Sequence, residues 1–293
     1  MTTPTGADPH DDDSIASRTG LLDALDALDA LGAHRTAVIL VGAQAVYLRT
    51  GDAGMTIAPT TRDADLVLDL TRLADQPAIS TAMTGAGFTL KPQPAGGTNP
   101  GRWTKQVFIG TRKLEAPVDL IVPSKAQPDR GKSHRSAQLP AHGRLVAMLT
   151  HGLEGALVDH DGLAVSGVGG DTRISTIAVA GPAALLIAKL IKLSERLDEN
   201  RGRAQDKDAS DVLRLIRTTP PTVMAERLQW IRHQAVAAPV AEQAITALHP
   251  LFGTPAAPGV VMARRAVTGD LDPARVADQL TAYTADVIRR LEL

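Results

Sequence analysis

The chain has 293 residues, of which 44% are hydrophobic but only 2% aromatic. We therefore expect an aliphatic core, in two compact units or one domain with a helical extension. The net charge of −1 gives no overall attraction to nucleic acid, so any such contact needs a local basic patch. The absence of cysteine excludes disulfides, thiolate metal sites and a cysteine nucleophile. With no signal-peptide pattern and no apolar stretch of membrane-spanning length, we expect a cytoplasmic protein without a membrane partner.

The N-terminal part of the sequence predicts a sheet. A disordered tail over residues 1–13 precedes a helix that Ser14 caps and whose leucines line one face. A short apolar run at 37–41 ends in Gly42 and is followed by a helix at 43–50. Further strands are predicted at 62–70, 88–91, 102–109, 113–122 and 172–179, and a helix at 77–85.

Helical patterns dominate the rest of the chain. They predict helices at 182–198, 207–217, 222–236, 240–249 and 274–291. The predicted fold class is therefore α/β (α+β), a mixed sheet followed by a helical C-terminal unit. We expect a sheet-containing domain over 14–180 and a helical domain over 181–293.

Three aspartates predict a metal site. Asp63 and Asp65 are separated by two positions in a predicted strand, so their side chains share one face. Asp119 lies in an apolar strand, where a carboxylate is costly unless it meets a cation or a hydrogen-bond donor. Carboxylates on neighbouring strands suit Mg²⁺ and two-metal phosphoryl transfer. Such aspartate pairs also arise by chance, and Asp69 shares their parity, so it is either a rival ligand or a turn residue.

Two groups of motifs resemble a known family. Val41-Gly42-Ala43-Gln44-Ala45, followed after a helix by Thr61-Arg62-Asp63-Ala64-Asp65, resembles the nucleotidyltransferase signature of a glycine–small pair and a DxD. Lys189, Arg196 and the segment Lys207-Asp208-Ala209-Ser210-Asp211 resemble the K…R…KDxxD pattern of the AbiEii/MenT family, toxins of bacterial toxin–antitoxin pairs. The resemblance covers about residues 36–217. It leaves open whether Lys189 or Lys192 is the motif lysine.

The resemblance implies a nucleotidyltransferase-like catalytic domain over 14–180 that moves a nucleotide from an NTP to the 3′ end of tRNA, which blocks aminoacylation and translation. The catalytic residues implied are Asp63, Asp65, Lys189 and Asp211, and the Mg²⁺ ligands are Asp63, Asp65 and Asp119. Lys189 would neutralise phosphate charge, and Asp211 would orient Lys189 or a hydroxyl or base of the nucleotide. The nucleotide-binding residues implied are Gly42, Ala43, Gln44, Thr61, Arg196, Lys207 and Asp208, with backbone amides of residues 42–44 facing the triphosphate.

Purely structural interpretations stand beside these roles. Lys189 and Lys192 could form a solvated helix edge. Asp208 could complement a helix dipole. Arg196 could contact a phosphate or pair with Asp198 or Glu199.

The resemblance also implies partners. They are the acceptor end of tRNA and a cognate antitoxin of the kinase-like or winged-helix type. Phosphorylation of Thr61 by a kinase-like antitoxin would place negative charge beside the site, although Thr61 could equally be an ordinary threonine of a β segment. A basic stretch over residues 124–144, together with Arg201, Arg203 and Lys207, could follow the RNA backbone.

Two other functions compete. The same fold could modify a small molecule such as an antibiotic, or a protein side chain. The chain could also be a non-catalytic binding protein, against which the retained carboxylates and Lys189 argue. The preferred NTP, the tRNA species, the antitoxin and the oligomeric state are not determined by the sequence.

Overall fold

The computed structural model describes residues 9–29, 34–51, 53, 55, 63–93, 96–127, 135–198, 206–267 and 271–292. The helices are α1 Pro9–Asp29, α2 Gly42–Thr50, α3 Ile79–Gly85, α4 Pro182–Asp198, α5 Asp206–Thr218, α6 Pro221–Arg232, α7 Ala238–Phe252, α8 Pro258–Ala266 and α9 Pro273–Leu291. The strands are β1 Val38–Val41, β2 Ala64–Leu68, β3 Thr89–Pro92, β4 Thr98–Ile109, β5 Arg112–Pro123, β6 Met148–Thr150, β7 His160–Ser166 and β8 Ile174–Ala180.

The strands form one mixed sheet in the order β3-β4-β5-β2-β1-β8-β7, and β6 pairs with the end of β5. The central strand β1 is antiparallel to β2 and parallel to β8, while β2 and β5 are parallel. The last strand, β8, is followed in the chain by six helices, α4 to α9. This arrangement confirms the predicted fold class, a mixed sheet with a helical C-terminal part.

Helix α1 covers one face of the sheet. Its leucines, including Leu21 and Leu22, are fully buried, and Gly20 lies directly against Ala116 of β5. The helix begins at Pro9, upstream of the predicted cap Ser14, so residues 9–13 are not the disordered segment that the sequence predicted. The earlier start has a tertiary cause, because Asp12 is buried and pairs with Arg112 of β5.

Three elements were missed at the sequence level. Strand β6 has only three residues, β7 is an edge strand with an interrupting glycine, and α8 begins with Pro258 and Gly259. A single cluster of buried hydrophobic side chains extends from Leu21 of α1 to Leu291 of α9. The division into domains at residues 180 and 181 stays a prediction. Among the described helices, none is both long and apolar enough to span a membrane.

Candidate active site

Three carboxylates meet at the centre of the sheet. Asp65 on β2 pairs in register with Val41 on one side and with Asp119 on the other. Asp63, just before β2, has the same strand parity as Asp65. One carboxylate oxygen from each of the three aspartates lies within 4.8 Å of the others. The structure therefore brings together the three residues that were predicted as metal ligands.

The electrostatics of this aspartate triad favour a cation. Burial, and then the charges of Asp63 and Asp119, raise the pKa of Asp65 to about 7. Burial also raises the pKa of Asp119, although the adjacent Arg102 opposes the shift. The donor set consists of oxygen atoms alone, which suits Mg²⁺, and a divalent ion would relieve the repulsion between the carboxylates. The residues present therefore fit a magnesium site.

Gly42 lies at the junction of β1 and α2, beside the triad. Its φ of +70° is disfavoured for other residues, and a Cβ at this position would collide with Oδ2 of Asp65. The glycine thus lets the carboxylate pack against the start of α2. Ala43, the next residue, is buried.

The side chain of Gln44 is taken up by hydrogen bonds to α1 and to the backbone of Asp63, whose carbonyl oxygen accepts from Nε2 at 3.5 Å. Its Nε2 donates to Oγ of Ser17 at 2.8 Å, and its Oε1 accepts from Nε of Arg18 at 3.1 Å. Ser17 and Arg18 both belong to α1. The side chain therefore anchors α1, and only the backbone of Gln44 remains for the nucleotide-binding role predicted for it.

A second charged group joins α4 to α5. Nζ of Lys189 lies 3.2 Å from Oδ1 of Asp208 and 2.6 Å from Oδ2 of Asp211. Arg196 and Lys192 also pair with Asp208. Asp208 is thus the centre of this α4–α5 ion cluster, a role that the sequence did not indicate. The side chains of Asp198 and Glu199, the other partners considered for Arg196, lie outside the described residues.

The two candidate motif lysines differ in burial. The side chain of Lys189 is 7% exposed, whereas that of Lys192 is 46% exposed. Burial lowers the pKa of Lys189, but Asp211 and Asp208 outweigh it and hold the pKa above its ordinary value. Lys189 is therefore a permanent cation in a closed environment. Lys207 is half-buried, and burial lowers its pKa.

One aspartate of the triad, Asp65, and the cations of the ion cluster line the same cavity. Its volume is about 360 Å³, and it lies between the sheet and α4. Gly42 and Asp65 form one part of its wall, and Lys189, Lys192 and Arg196 form another. A cavity with a carboxylate site on one wall and three cations on another suits a polyphosphate that binds together with divalent metal.

Other predicted residues lie elsewhere. Oδ1 of Asp69 accepts hydrogen bonds from the backbone amide and the hydroxyl of Thr71, at 2.9 and 2.7 Å. Asp69 is therefore a turn residue and does not belong to the triad. Thr61, residues 128–134 of the basic stretch, Arg201 and Arg203 lie outside the residues that the structure describes.

Arg102 is a site residue that the sequence reasoning missed. It pairs in register with Asp119 across β4 and β5, and its Nη2 lies 2.9 Å from Oδ2 of that carboxylate. The hairpin turn at Gly110 and Thr111 joins Ile109 to Arg112. Counting back along both strands from this turn leads to Arg102 and Asp119, so a correctly recognised two-residue hairpin would have paired them.

Arg214 was also missed. This α5 residue is 1% exposed, and its guanidinium lies 4.6 Å from the ring centroid of Tyr47 on α2. It also donates to the carbonyl oxygen of Gly51 at 3.2 Å. The C-terminal helices are thereby joined to the C-terminal end of α2, whereas Gly42 lies at its N-terminal end.

A family model described as nucleotidyltransferase matches residues 19–231. The match covers well over half of the chain and includes the triad, Gly42 and the α4–α5 ion cluster. The chain belongs to this nucleotidyltransferase family. A comparison with curated proteins found no match. Membership of the family makes the protein a transferase, and the cavity beside its aspartate triad is the candidate active site of this transferase.

Proposed function

We propose that this transferase moves a nucleotide from an NTP to the 3′ end of tRNA, and that it is the toxin of a toxin–antitoxin pair of the AbiEii/MenT type. The observation that carries the proposal is that Asp65, a member of the aspartate triad, and the cations of α4 face a single cavity. The motif resemblance of Lys189, Arg196 and residues 207–211 supplies the choice of tRNA as acceptor. Modification of tRNA ends would stop aminoacylation and so inhibit translation.

Different residues of the site bind the phosphates of the NTP and the metal ion. Lys189, Lys192 and Arg196 bind the phosphates of the NTP, and Asp208 and Asp211 hold Lys189 at the cavity wall. Asp63, Asp65 and Asp119 would hold Mg²⁺, which when bound supplies Lewis-acid activation of the phosphate and of the attacking hydroxyl.

The transfer step is a displacement at the α-phosphate. The 3′-hydroxyl oxygen of the RNA forms a bond to the α-phosphorus and loses its proton to solvent, while the bond between the α-phosphorus and the bridging oxygen breaks. Pyrophosphate leaves. The cations of α4 stabilise the charge that develops on it.

The test uses the full chain with α-labelled NTPs, Mg²⁺ and total tRNA. We expect label in tRNA with the wild type and none with Asp65→Asn. Asp69→Asn is the matched control, because Asp69 follows the same strand but lies outside the triad, and it should keep activity. The labelled tRNA should no longer accept amino acids.

Other outcomes change or remove the proposal. Label that appears only in a small molecule or in protein would favour the alternative acceptors over tRNA. No label in any acceptor would exclude transferase activity under these conditions and contradict the proposal.

The partner proposed for the toxin is a cognate antitoxin, of the kinase-like or winged-helix type. A kinase-like antitoxin would act by phosphorylating Thr61. Intact-mass analysis after co-expression with the product of the neighbouring gene tests this step. An inhibited complex in which Thr61 is unmodified contradicts it.

A further inference from the structure

One face of the β4–β5 ribbon leads away from the aspartate triad. Because side chains alternate along a strand, every second residue after Arg102 on β4 and before Asp119 on β5 points to the same side as these two. The residues on this ribbon face are Thr104, Gln106 and Phe108 on β4 and Pro117, Glu115 and Lys113 on β5. The opposite face of the ribbon packs against α1, where Gly20 meets Ala116.

A groove of about 430 Å³ runs from the triad along the β5 side of this face, where Pro117, Glu115 and Lys113 line it, and Phe108 is not among its lining residues. It is lined by Asp63 and Asp119 at one end and reaches Lys113 at the other. The groove is separate from the nucleotide cavity, which is lined by Asp65 and the cations of α4. The triad thus stands between two depressions. A transferase with two substrates needs such an arrangement, with the NTP on one side of the metal site and the acceptor on the other.

The groove is lined by three cations and by four carboxylates, those of Asp13, Asp63, Glu115 and Asp119. Arg102 and Lys91 line its inner part, although Arg102 contacts Asp119 and Lys91 contacts Glu115. Lys113 at the outer end is exposed, and among the described residues it has no hydrogen bond or ion pair. A phosphate group could take this cation without breaking an existing contact.

Phe108 stands at the outer end of the ribbon face. It pairs in register with Lys113, and 67% of it is exposed. Phe108 lies six positions from Arg102 along β4, which at about 3.3 Å per residue places it roughly 20 Å from the triad. An exposed aromatic ring beside a free cation is the combination with which sheets bind single-stranded nucleic acid. The distance from the triad to Phe108 accommodates roughly four nucleotides of single-stranded RNA.

We propose that the ribbon face binds the single-stranded 3′ end of the acceptor RNA, with a base stacked on Phe108 and a phosphate bound by Lys113. This inference rests on the proposed transfer of nucleotides to RNA. It adds the direction from which the RNA approaches, along β4 and β5 towards Asp119, and the residue that stacks its base.

Steady-state kinetics with tRNA as the varied substrate tests the inference. Phe108→Ala should raise KM for tRNA about tenfold, the loss expected for one base–aromatic stack, and leave KM for the NTP and kcat unchanged. Phe108→Trp should restore KM because it keeps a stacking surface. Ile174→Ala is the matched control, because Ile174 is 70% exposed but lies on β8, away from the ribbon.

Acceptor length gives a second, independent measurement. With oligonucleotides as acceptors, Phe108→Ala should raise KM for hexanucleotides and leave KM for dinucleotides unchanged, since a dinucleotide does not reach Phe108 from the triad. An equal effect on both lengths, or no effect on either, overturns the inference while transfer to RNA stands. If the wild type labels no RNA at all, the proposed function fails and the inference falls with it.

Discussion

At the scale of single residues, Gly42 and Asp65 depend on each other. Gly42 has a positive φ and no room for a Cβ, because Oδ2 of Asp65 occupies that space. Any side chain at position 42 therefore moves a triad carboxylate as well as straining the backbone. The glycine of the signature motif has a packing role at this position in addition to any approach of the phosphates.

Replacing this glycine should separate the two effects. Gly42→Ala should reduce nucleotide transfer at least about 100-fold, since misplacement of a catalytic group by about 1 Å can cost that much. Gly51→Ala at the other end of α2 is the control, because Gly51 also has a positive φ but nothing within 4 Å of the added Cβ. It should lose stability and keep activity. Equal activity losses in the two variants would show that backbone strain alone is responsible.

Asp65 should also make stability depend on pH. Burial, and then Asp63 and Asp119, raise its pKa to about 7 in the folded chain, against an ordinary value of 3.8. The folded state therefore holds this proton more tightly, so the contribution of Asp65 to stability is present below pH about 4 and is lost as the pH rises through about 7. In EDTA, the Tm of the wild type should fall relative to Asp65→Asn between about pH 4 and about pH 7.

Magnesium provides the control for this pH effect. At about pH 8, Mg²⁺ should raise the Tm of the wild type, because the ion binds the ionised triad of the folded state. It should raise the Tm of Asp65→Asn less. A Tm difference that does not change with pH in EDTA would contradict the proposed repulsion among the three carboxylates.

At the scale of elements, the α4–α5 ion cluster decides how the cavity wall is held. Asp211 is 0% exposed and pairs with Lys189, whereas Asp208 has Arg196 and Lys192 as further partners. Removing Lys189 therefore leaves Asp211 as a buried charge without its cation. Removing Lys192 leaves both carboxylates paired.

We predict that Lys189→Met lowers the free energy of unfolding by about 3–5 kcal/mol, the usual cost of breaking a buried pair. Lys192→Met should cost less than about 1 kcal/mol, because its side chain is 46% exposed. Denaturant unfolding measures both. Lys189→Met combined with Asp211→Leu should recover much of the stability but no transferase activity. Recovery of activity in the double variant would restrict Lys189 to a structural role.

At the scale of the whole molecule, the helices and the sheet share one core. The hydrophobic cluster continues from α1 to α9 without a break at the predicted boundary between residues 180 and 181. Arg214 of α5 also reaches Tyr47 and Gly51 of α2. Two domains with separate cores would unfold separately, whereas a shared core couples them.

We therefore predict a single unfolding transition in calorimetry, with a van't Hoff enthalpy equal to the calorimetric enthalpy. The same midpoint should be seen in the far-UV signal of the helices and in the near-UV signal of Trp103 on β4, measured in a Trp230→Phe variant because Trp230 on α6 also contributes to the near-UV signal. Two separate transitions would instead support the predicted division into a sheet domain and a helical domain.

Several features of the fold and the site were predictable from local sequence patterns. The alternation at Asp63 and Asp65 placed both on one strand face, and the predicted bounds of the helix at 182–198 agree with α4. Strands β6 and β7 were not predicted, because β6 is very short and β7 is an edge strand with little apolar alternation. Arg102 was not predicted as a site residue, because its position beside Asp119 depends on the register of a hairpin.

The sequence by itself determined the class of the protein and its chemical groups: a mixed sheet with C-terminal helices, an aspartate pair on a strand, a third aspartate in an apolar run and a lysine on a long helix. These follow from periodicity and residue type, which act over a few residues. Only the tertiary structure decided which groups meet. Strand register brought Arg102 to Asp119, helix packing made Asp208 the centre of the α4–α5 ion cluster, and burial distinguished Lys189 from Lys192. Such contacts join residues that are distant in the chain, so no local pattern encodes them.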